Sequence, residues 1–274
     1  MSVMDAITEQ EFTDLTQYVK ENYGINLSQK KTLVVGRLQN YLAENGYSGF
    51  SEYFRHILTD RTGAAGITLI NKLTTNHTYF MREPQHFHIF QKELLPYFSK
   101  IETGKRDLRI WSAGCSSGEE PYTLALLTDD YFGADKWRWD TKILATDIST
   151  AALEKAKSAV YSNSQLESMP GNWRGKYFQK IDSENSTVVG KLRQEVIFRR
   201  FNLMNEYFPF KNKFHVIFCR NVMIYFDAET RRELVNRFYQ HTEPGGYLFI
   251  GHSESLNQLE TKYRSVAPAV YRRE

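Results

Sequence analysis

Apolar positions in the first 75 residues recur at helical spacing. Phe12, Leu15, Tyr18 and Val19 share one face of a predicted helix that Gly24 is placed to end. A second helix is expected after Ser28 as its cap, with Val34, Val35, Leu38 and Leu42 as its apolar stripe and Asn45-Gly46 as its stop. A third is predicted near Phe50 to Leu58, capped by Ser48 or Ser51. After a break at Gly63 to Gly66, a fourth begins at Ile67. With no strand pattern in between, residues 1–75 read as a small all-helical domain.

The pattern changes in 76–274. Strands are expected near 108–112, 142–146, 197–201, 214–219 and 246–251, separated by helical stretches. Phe214 to Cys219 is continuously apolar, as in a strand covered on both faces, and Pro244-Gly245-Gly246 reads as a turn into the next strand. Tyr263 to Tyr271 alternates weakly and is expected as one final edge strand. Strands alternating with helices predict an α/β fold, a doubly wound, mostly parallel sheet that binds ligands at its carboxyl ends. Residues 161–195 break the alternation and read as an inserted short helix and antiparallel hairpin, a packing element.

The composition is that of an ordinary globular chain, 24% charged and 41% hydrophobic, and a net charge of +3 leaves no nucleic-acid footprint. Cys115 and Cys219 are expected as reduced thiols at two strand ends. Met1 to Gln10 lacks a signal-type apolar segment and no run is long enough to span a bilayer, so a soluble, cytoplasmic protein without membrane insertion is expected. The histidines show no metal-ligand spacing. His86 and His88 read as surface or interdomain residues, and His252 as structural in its turn.

The sharpest chemical signal runs from Leu108 to Pro121: a strand, a run of small residues (Gly114, Ser116, Ser117, Gly118) and a helix start. Such a turn brings backbone N–H groups close to a ligand. Glu119 and Glu120 at the helix start disfavour a phosphate and favour a cationic or hydroxyl-rich ligand. They also argue against a nicotinamide dehydrogenase, whose pyrophosphate would face them. Asp147, ending the next strand, suits a ribose diol or caps the following helix.

Five stretches in this order, Thr74–Glu83, Trp111–Tyr122, Ala145–Ser149, Phe218–Phe226 and Gly251–Glu254, make the chain similar to the CheR chemotaxis receptor methyltransferases nearly end to end. The resemblance implies a fold of the class I methyltransferase type, S-adenosylmethionine as methyl donor, and glutamate side chains of methyl-accepting chemotaxis receptors as acceptors. It carries Asn76, Thr78, Arg82, Gly114, Glu119, Glu120, Asp147, Asn202, Leu203, Arg220 and Asn221 over as cofactor contacts. Which of the two adjacent glutamates holds the methionine end stays open. Arg82 and Tyr225 are carried over as the residues nearest the chemistry; the Arg82 fork suits a carboxylate of either cofactor or acceptor. A monomer is expected.

An acceptor glutamate, with a pKa of about 4.3, is ionised at neutral pH and needs no general base. Residues 1–75 are not basic overall, seven Lys/Arg against eight Asp/Glu. Lys30, Lys31 and Arg37, however, have no acidic neighbour in the chain until Glu44, and they read as receptor-binding residues on the second helix. A non-catalytic relative is disfavoured because no matched position is lost. A nucleic-acid or small-molecule amino-methyltransferase is disfavoured because no Asn/Asp-Pro-Pro-Tyr/Phe motif follows Phe218.

Overall fold

The computed structural model describes residues 6–75, 77–256 and 261–274; Asn76, one of the expected cofactor contacts, lies outside them. Helix α1 (Glu9–Tyr23) starts in a reciprocal capping box: Thr8 Oγ1 accepts from the Glu11 N–H and the Glu11 carboxylate accepts from the Thr8 N–H. It ends at Gly24, whose left-handed backbone (φ 73°) lets its N–H reach the Lys20 carbonyl. A side chain at Gly24 would also collide with Met204 of the larger domain.

Three further helices complete the small domain: α2 (Lys31–Glu44), α3 (Phe50–Thr59) and α4 (Ala64–Leu73). Their expected caps are corrected. Ser28 donates to the Asn26 side chain instead of capping, so α2 opens at Lys30 with no side-chain cap. Ser48 donates both its N–H and its hydroxyl to Glu52, Ser51 donates to Glu11 of α1, and Gly49 is the residue that precedes α3. Helix α4 starts three residues before Ile67 and runs through Gly66, where a Cβ would press on the Tyr23 hydroxyl. The helices share one core, with Phe12, Leu15, Val34, Leu38, Tyr53 and Leu69 among its buried members.

The larger domain enters through α5 (Pro84–Ile89), a π turn (Phe90–Leu94) and α6 (Leu95–Ile101). The alternation then runs β1 (Ile110–Ala113), α7 (Glu119–Phe132), β2 (Ile143–Asp147), α8 (Thr150–Ser158), an insertion, β6 (Val196–Arg200), β7 (Phe214–Cys219), α11 (Ala228–His241) and β8 (Thr242–Ile250). The sheet order is β6-β2-β1-β7-β8-β10-β9, parallel through β8. The single last strand expected at Tyr263–Tyr271 is a hairpin, β9 (Tyr263–Ala267) and β10 (Val270–Arg273), with β10 antiparallel to β8. Pro268 and left-handed Ala269 break the run.

Alternate residues of the central strands enter two different cores. Ile110, Val216, Phe218 and Phe249 pack with Phe87, Phe90 and Leu124, whereas Trp111, Ile217, Cys219 and Leu248 pack with Leu234, Val235 and Phe238 of α11. Coverage on both faces is why β7 is buried at every position, His215 included.

The insertion holds β3 (Val160–Ser162), α9 (Gly171–Tyr177), β4 (Phe178–Lys180), β5 (Asn185–Val188) and α10 (Gly190–Arg193). Its sheet, ordered β3-β5-β4, has one strand more than the expected hairpin. Tyr161 Oη donates to the Ser117 carbonyl (2.7 Å) and ties the insertion to the β1–α7 turn. Among the described residues, no helix is long and apolar enough to cross a membrane.

Candidate functional site

Parallel strands leave their carboxyl ends open where loops diverge, and here the helical domain closes over that edge. The domains are joined by backbone and charge. Ile25 forms an antiparallel bridge with Phe226, the Asn26 N–H donates to the Tyr225 carbonyl (2.9 Å), and Lys20 pairs with Asp227 (2.8 Å). Between them lies a cavity of about 340 Å³, lined by the ends of β1, β2, β6 and β7, residues of 74–75 and 77–82, and the C-terminal end of α1.

Gly114 ends β1 on the cavity wall with φ 90°, and a Cβ there would lie 2.4 Å from Val222. Its N–H and that of Cys115 donate to the Thr146 carbonyl (2.7 and 2.9 Å), so the turn folds over β2. Asp147 ends β2 on the same wall and accepts from the N–H groups of Ser116 and Ser149, each at 2.8 Å. Burial pushes its carboxyl pKa up against those two bonds. Ser149 itself caps α8, so Asp147 orders the two turns and still presents lone pairs to the cavity.

The adjacent glutamates separate because consecutive helix positions point about 100° apart. Glu120 is on the cavity wall, where Ser112 Oγ donates to it (2.7 Å) and Arg220 Nη1 reaches it (3.1 Å). Glu119 lies outside the lining, fully buried, accepting from the Ser117 hydroxyl at 2.8 and 3.0 Å. Burial raises both carboxyls, opposed chiefly by Ser117 at Glu119 and by Arg220 at Glu120.

Arg220 and Asn221 follow β7. The Arg220 side chain, only 2% exposed, lies between Glu120 and Glu83, and it also donates to the Arg82 carbonyl. Glu83 accepts in addition from Asn221 Nδ2 and the His252 N–H, both at 3.3 Å. Burial alone would raise the Glu83 carboxyl, but Arg220 and these donors hold it below its ordinary value. Four non-glycine residues have left-handed backbone here, Ser116 and Asn221 on the cavity wall and Met81 and Glu83 on either side of Arg82, local strain of the kind that collects at ligand sites.

Thr78, Arg82, Asn202 and Leu203 also line the cavity. Arg82 Nη1 donates to the His77 carbonyl (2.6 Å), and no carboxylate among the described residues pairs with it. Asn202 is partly committed, donating to the Asn22 carbonyl of α1 (2.8 Å) and accepting from the Met204 N–H (3.0 Å). Tyr225 is on the wall with its hydroxyl near the Thr75 N–H (3.3 Å) and carbonyl (3.4 Å), and it packs on the helical-domain core.

The three basic residues of α2 are not on the cavity wall. Lys30 is exposed at the helix start; Lys31 pairs with Glu9 of α1 (2.6 Å), a neighbour that the chain order conceals. Arg37 donates to the Thr75 hydroxyl (3.0 Å), on the same residue whose backbone the Tyr225 hydroxyl contacts.

Three groups escape a reading of the sequence alone. Ser112 supports Glu120, Glu83 neutralises Arg220, and buried Glu254 accepts from three backbone N–H groups. Both acids end stretches that carry the family resemblance, which is the signal that would have flagged them. His86, expected at the surface or between the domains, is instead fully buried within the larger domain, packed against His252 and Phe249, and burial lowers its pKa to about 4. Glu83, His86 and His252 bring one donor atom each within 4.8 Å of one another, but Arg220 already supplies the cation that Glu83 faces.

The wall thus offers two carboxylates to a ligand with hydroxyls and a positive charge, the Arg82 guanidinium, which no described carboxylate pairs, to a carboxylate, and the apolar side chains of Ile148, Phe201 and Leu203 to a flat ring. A nucleoside that carries a free amino acid through a sulfonium, as S-adenosylmethionine does, fits that donor set. Relatives agree. A "Chemotaxis protein methyltransferase" of Borreliella burgdorferi is 40% identical over 97% of this chain and 95% of its own, and one of Escherichia coli is 35% identical over 97% and 91%. The family descriptions "CheR methyltransferase, all-alpha domain" and "CheR methyltransferase, SAM binding domain" match residues 10–74 and 76–271. With both parts matched and whole-length relatives at this identity, the chain belongs to the CheR family of S-adenosylmethionine-dependent methyltransferases.

Proposed function

We propose that this enzyme methylates glutamate side chains of methyl-accepting chemotaxis receptors in the cytoplasm, forming methyl esters, with its chemistry in the interdomain cavity. The observation that carries this reading is one wall bearing Asp147 and Glu120 beside Arg82, which pairs with no carboxylate among the described residues. The family name of its relatives supports the receptor as the protein acted on.

Asp147 takes the ribose hydroxyls, and Leu203, Ile148 and Phe201 flank the adenine. Glu120 holds the ammonium of the methionine end, with Arg220 and Ser112 opposing the upward push of burial on its carboxyl and aiming it; Glu119 supports the turn from behind through Ser117. S-adenosylmethionine, when bound, supplies an electrophilic methyl group on a positively charged sulfur. An ionised acceptor glutamate needs no base, so the protein's task is alignment and water exclusion. Arg82 orients a carboxylate by its planar fork, and Tyr225 packs beside the reacting groups and shields them. Lys30 and Arg37 on α2 attract an acidic receptor helix, with Arg37 connected through Thr75 to the cavity.

Incubation of receptor-containing membranes with cofactor radiolabelled in its methyl group tests the reading. Label on the receptor that base releases as methanol is the expected result. Base-stable label, or label on RNA, overturns it.

A further inference from the structure

The cavity-facing loop after β7 is held from behind by a carboxylate that does not touch the cavity. Glu254, 7% exposed, accepts from the N–H groups of Gly251 (2.6 Å), Asn221 (3.0 Å) and Ile224 (3.1 Å). Asn221 is left-handed (φ 58°), a conformation that persists only where its surroundings determine it. Gly251 gives the loop room: a Cβ there would lie 2.4 Å from Asn221 Nδ2 and 2.9 Å from its backbone nitrogen. At its other end the loop is fixed to the helical domain by the Asn26–Tyr225 bond and the Ile25–Phe226 bridge.

We infer that Glu254 is a positioning residue for cofactor binding: its carboxylate moulds the Arg220–Tyr225 backbone so that Arg220, Asn221 and Tyr225 face the cavity together. The inference rests on the reading that this cavity holds S-adenosylmethionine. Both carboxylate oxygens are used, Oε2 by Asn221 and Gly251 and Oε1 by Ile224. An amide in their place would point N–H at N–H at one of the two positions. Glu254→Gln therefore keeps the shape of the side chain and loses the mould. Glu254→Asp keeps the charge and shortens the reach by one methylene.

The test is calorimetric titration of the full chain with S-adenosylhomocysteine, alongside thermal unfolding, for Glu254→Gln, Glu254→Asp, Asp147→Ala and Leu153→Ala. Leu153 is a buried α8 residue outside the cavity lining and controls for loss of stability alone. Expected are an affinity loss of tenfold or more for Glu254→Gln and severalfold for Glu254→Asp. Leu153→Ala should lower Tm but keep its affinity within about twofold. Should Glu254→Gln not fold, Glu254→Asp carries the decision. Wild-type affinity in the Glu254 variants beside a weakened Asp147→Ala overturns the positioning role alone. Wild-type affinity in the Asp147 variant as well overturns the cavity assignment on which it stands.

Discussion

Two loops meet at the carboxyl ends of adjacent strands and are shaped by opposite means. The turn after β1 is made from missing side chains: Gly114 and Gly118 are left-handed (φ 90° and 97°), and a Cβ at Gly118 would meet Tyr161 and Ala156 within 3 Å. Its bonds run to the neighbouring strand, Gly114 and Cys115 to Thr146 and Ser116 to Asp147. The loop after β7 is made from charge. Glu83 and Glu120 grip Arg220, and Glu254 grips the backbone. A substitution in the first loop should be felt as a collision, and in the second as an uncompensated buried ion.

The largest effect is expected where that ion is exposed to failure. Arg220→Met leaves Glu83 and Glu120 facing each other without their cation, and removal of one partner of a buried pair costs about 3–5 kcal/mol. Urea unfolding should report that loss together with lost binding of S-adenosylhomocysteine. Adding Glu120→Gln should return part of the stability but not the binding. In the glycine-built loop, Gly114→Ala should cost roughly 1–2 kcal/mol for its left-handed backbone and about 1 kcal/mol or more for the contact with Val222. Val222→Ala should relieve the second contribution and leave the first, so a double-mutant cycle will show coupling.

Acid gives a third contrast. His86, 3.4 Å from Glu83, and His215, on β7, are both held near pKa 4, chiefly by burial. The unfolded chain, with histidines near 6.5, takes up these protons first. Stability therefore is complete above about pH 6.5 and falls as pH drops toward 4, by about 2 kcal/mol per histidine at pH 5. Asp60 and Asp227, both held near 2 by hydrogen bonds, lose their contribution in a separate window below 3.8. Unfolding free energies at pH 7, 5 and 3 resolve the two steps, and a flat profile between 7 and 5 would remove the histidine account. The smallest effect belongs to the outer face of α2. Charge reversal at Lys30 and Arg37 should raise KM for receptor severalfold and leave cofactor affinity intact; the reverse pattern would remove docking from that helix.

The contrast between the loops also explains what the sequence disclosed. Small residues announce a tight turn by their composition, so the Gly114–Gly118 stretch was legible, as were the parallel strands and the helices α1 to α4. The grip on Arg220 is invisible in one dimension, because Glu83 lies 137 residues away along the chain. Glu119 and Glu120 could not be told apart without the azimuth of α7, which only packing sets. Caps failed for a related reason. Ser28, Ser48 and Ser51 each found a nearby carboxylate or amide oxygen better placed than a helix end. Tyr263–Tyr271 read as one strand because its alternation runs on across Pro268, although the chain reverses there.

If both loops hold one cofactor, a crystal structure of the protein with S-adenosylhomocysteine will show it. Expected are ribose hydroxyls on Asp147, the amino end on Glu120, and the adenine between Ile148 and Leu203. Density for the ligand elsewhere, such as the polar cleft at Asn22, Arg200 and Asn205, with the Asp147 wall vacant, would contradict it.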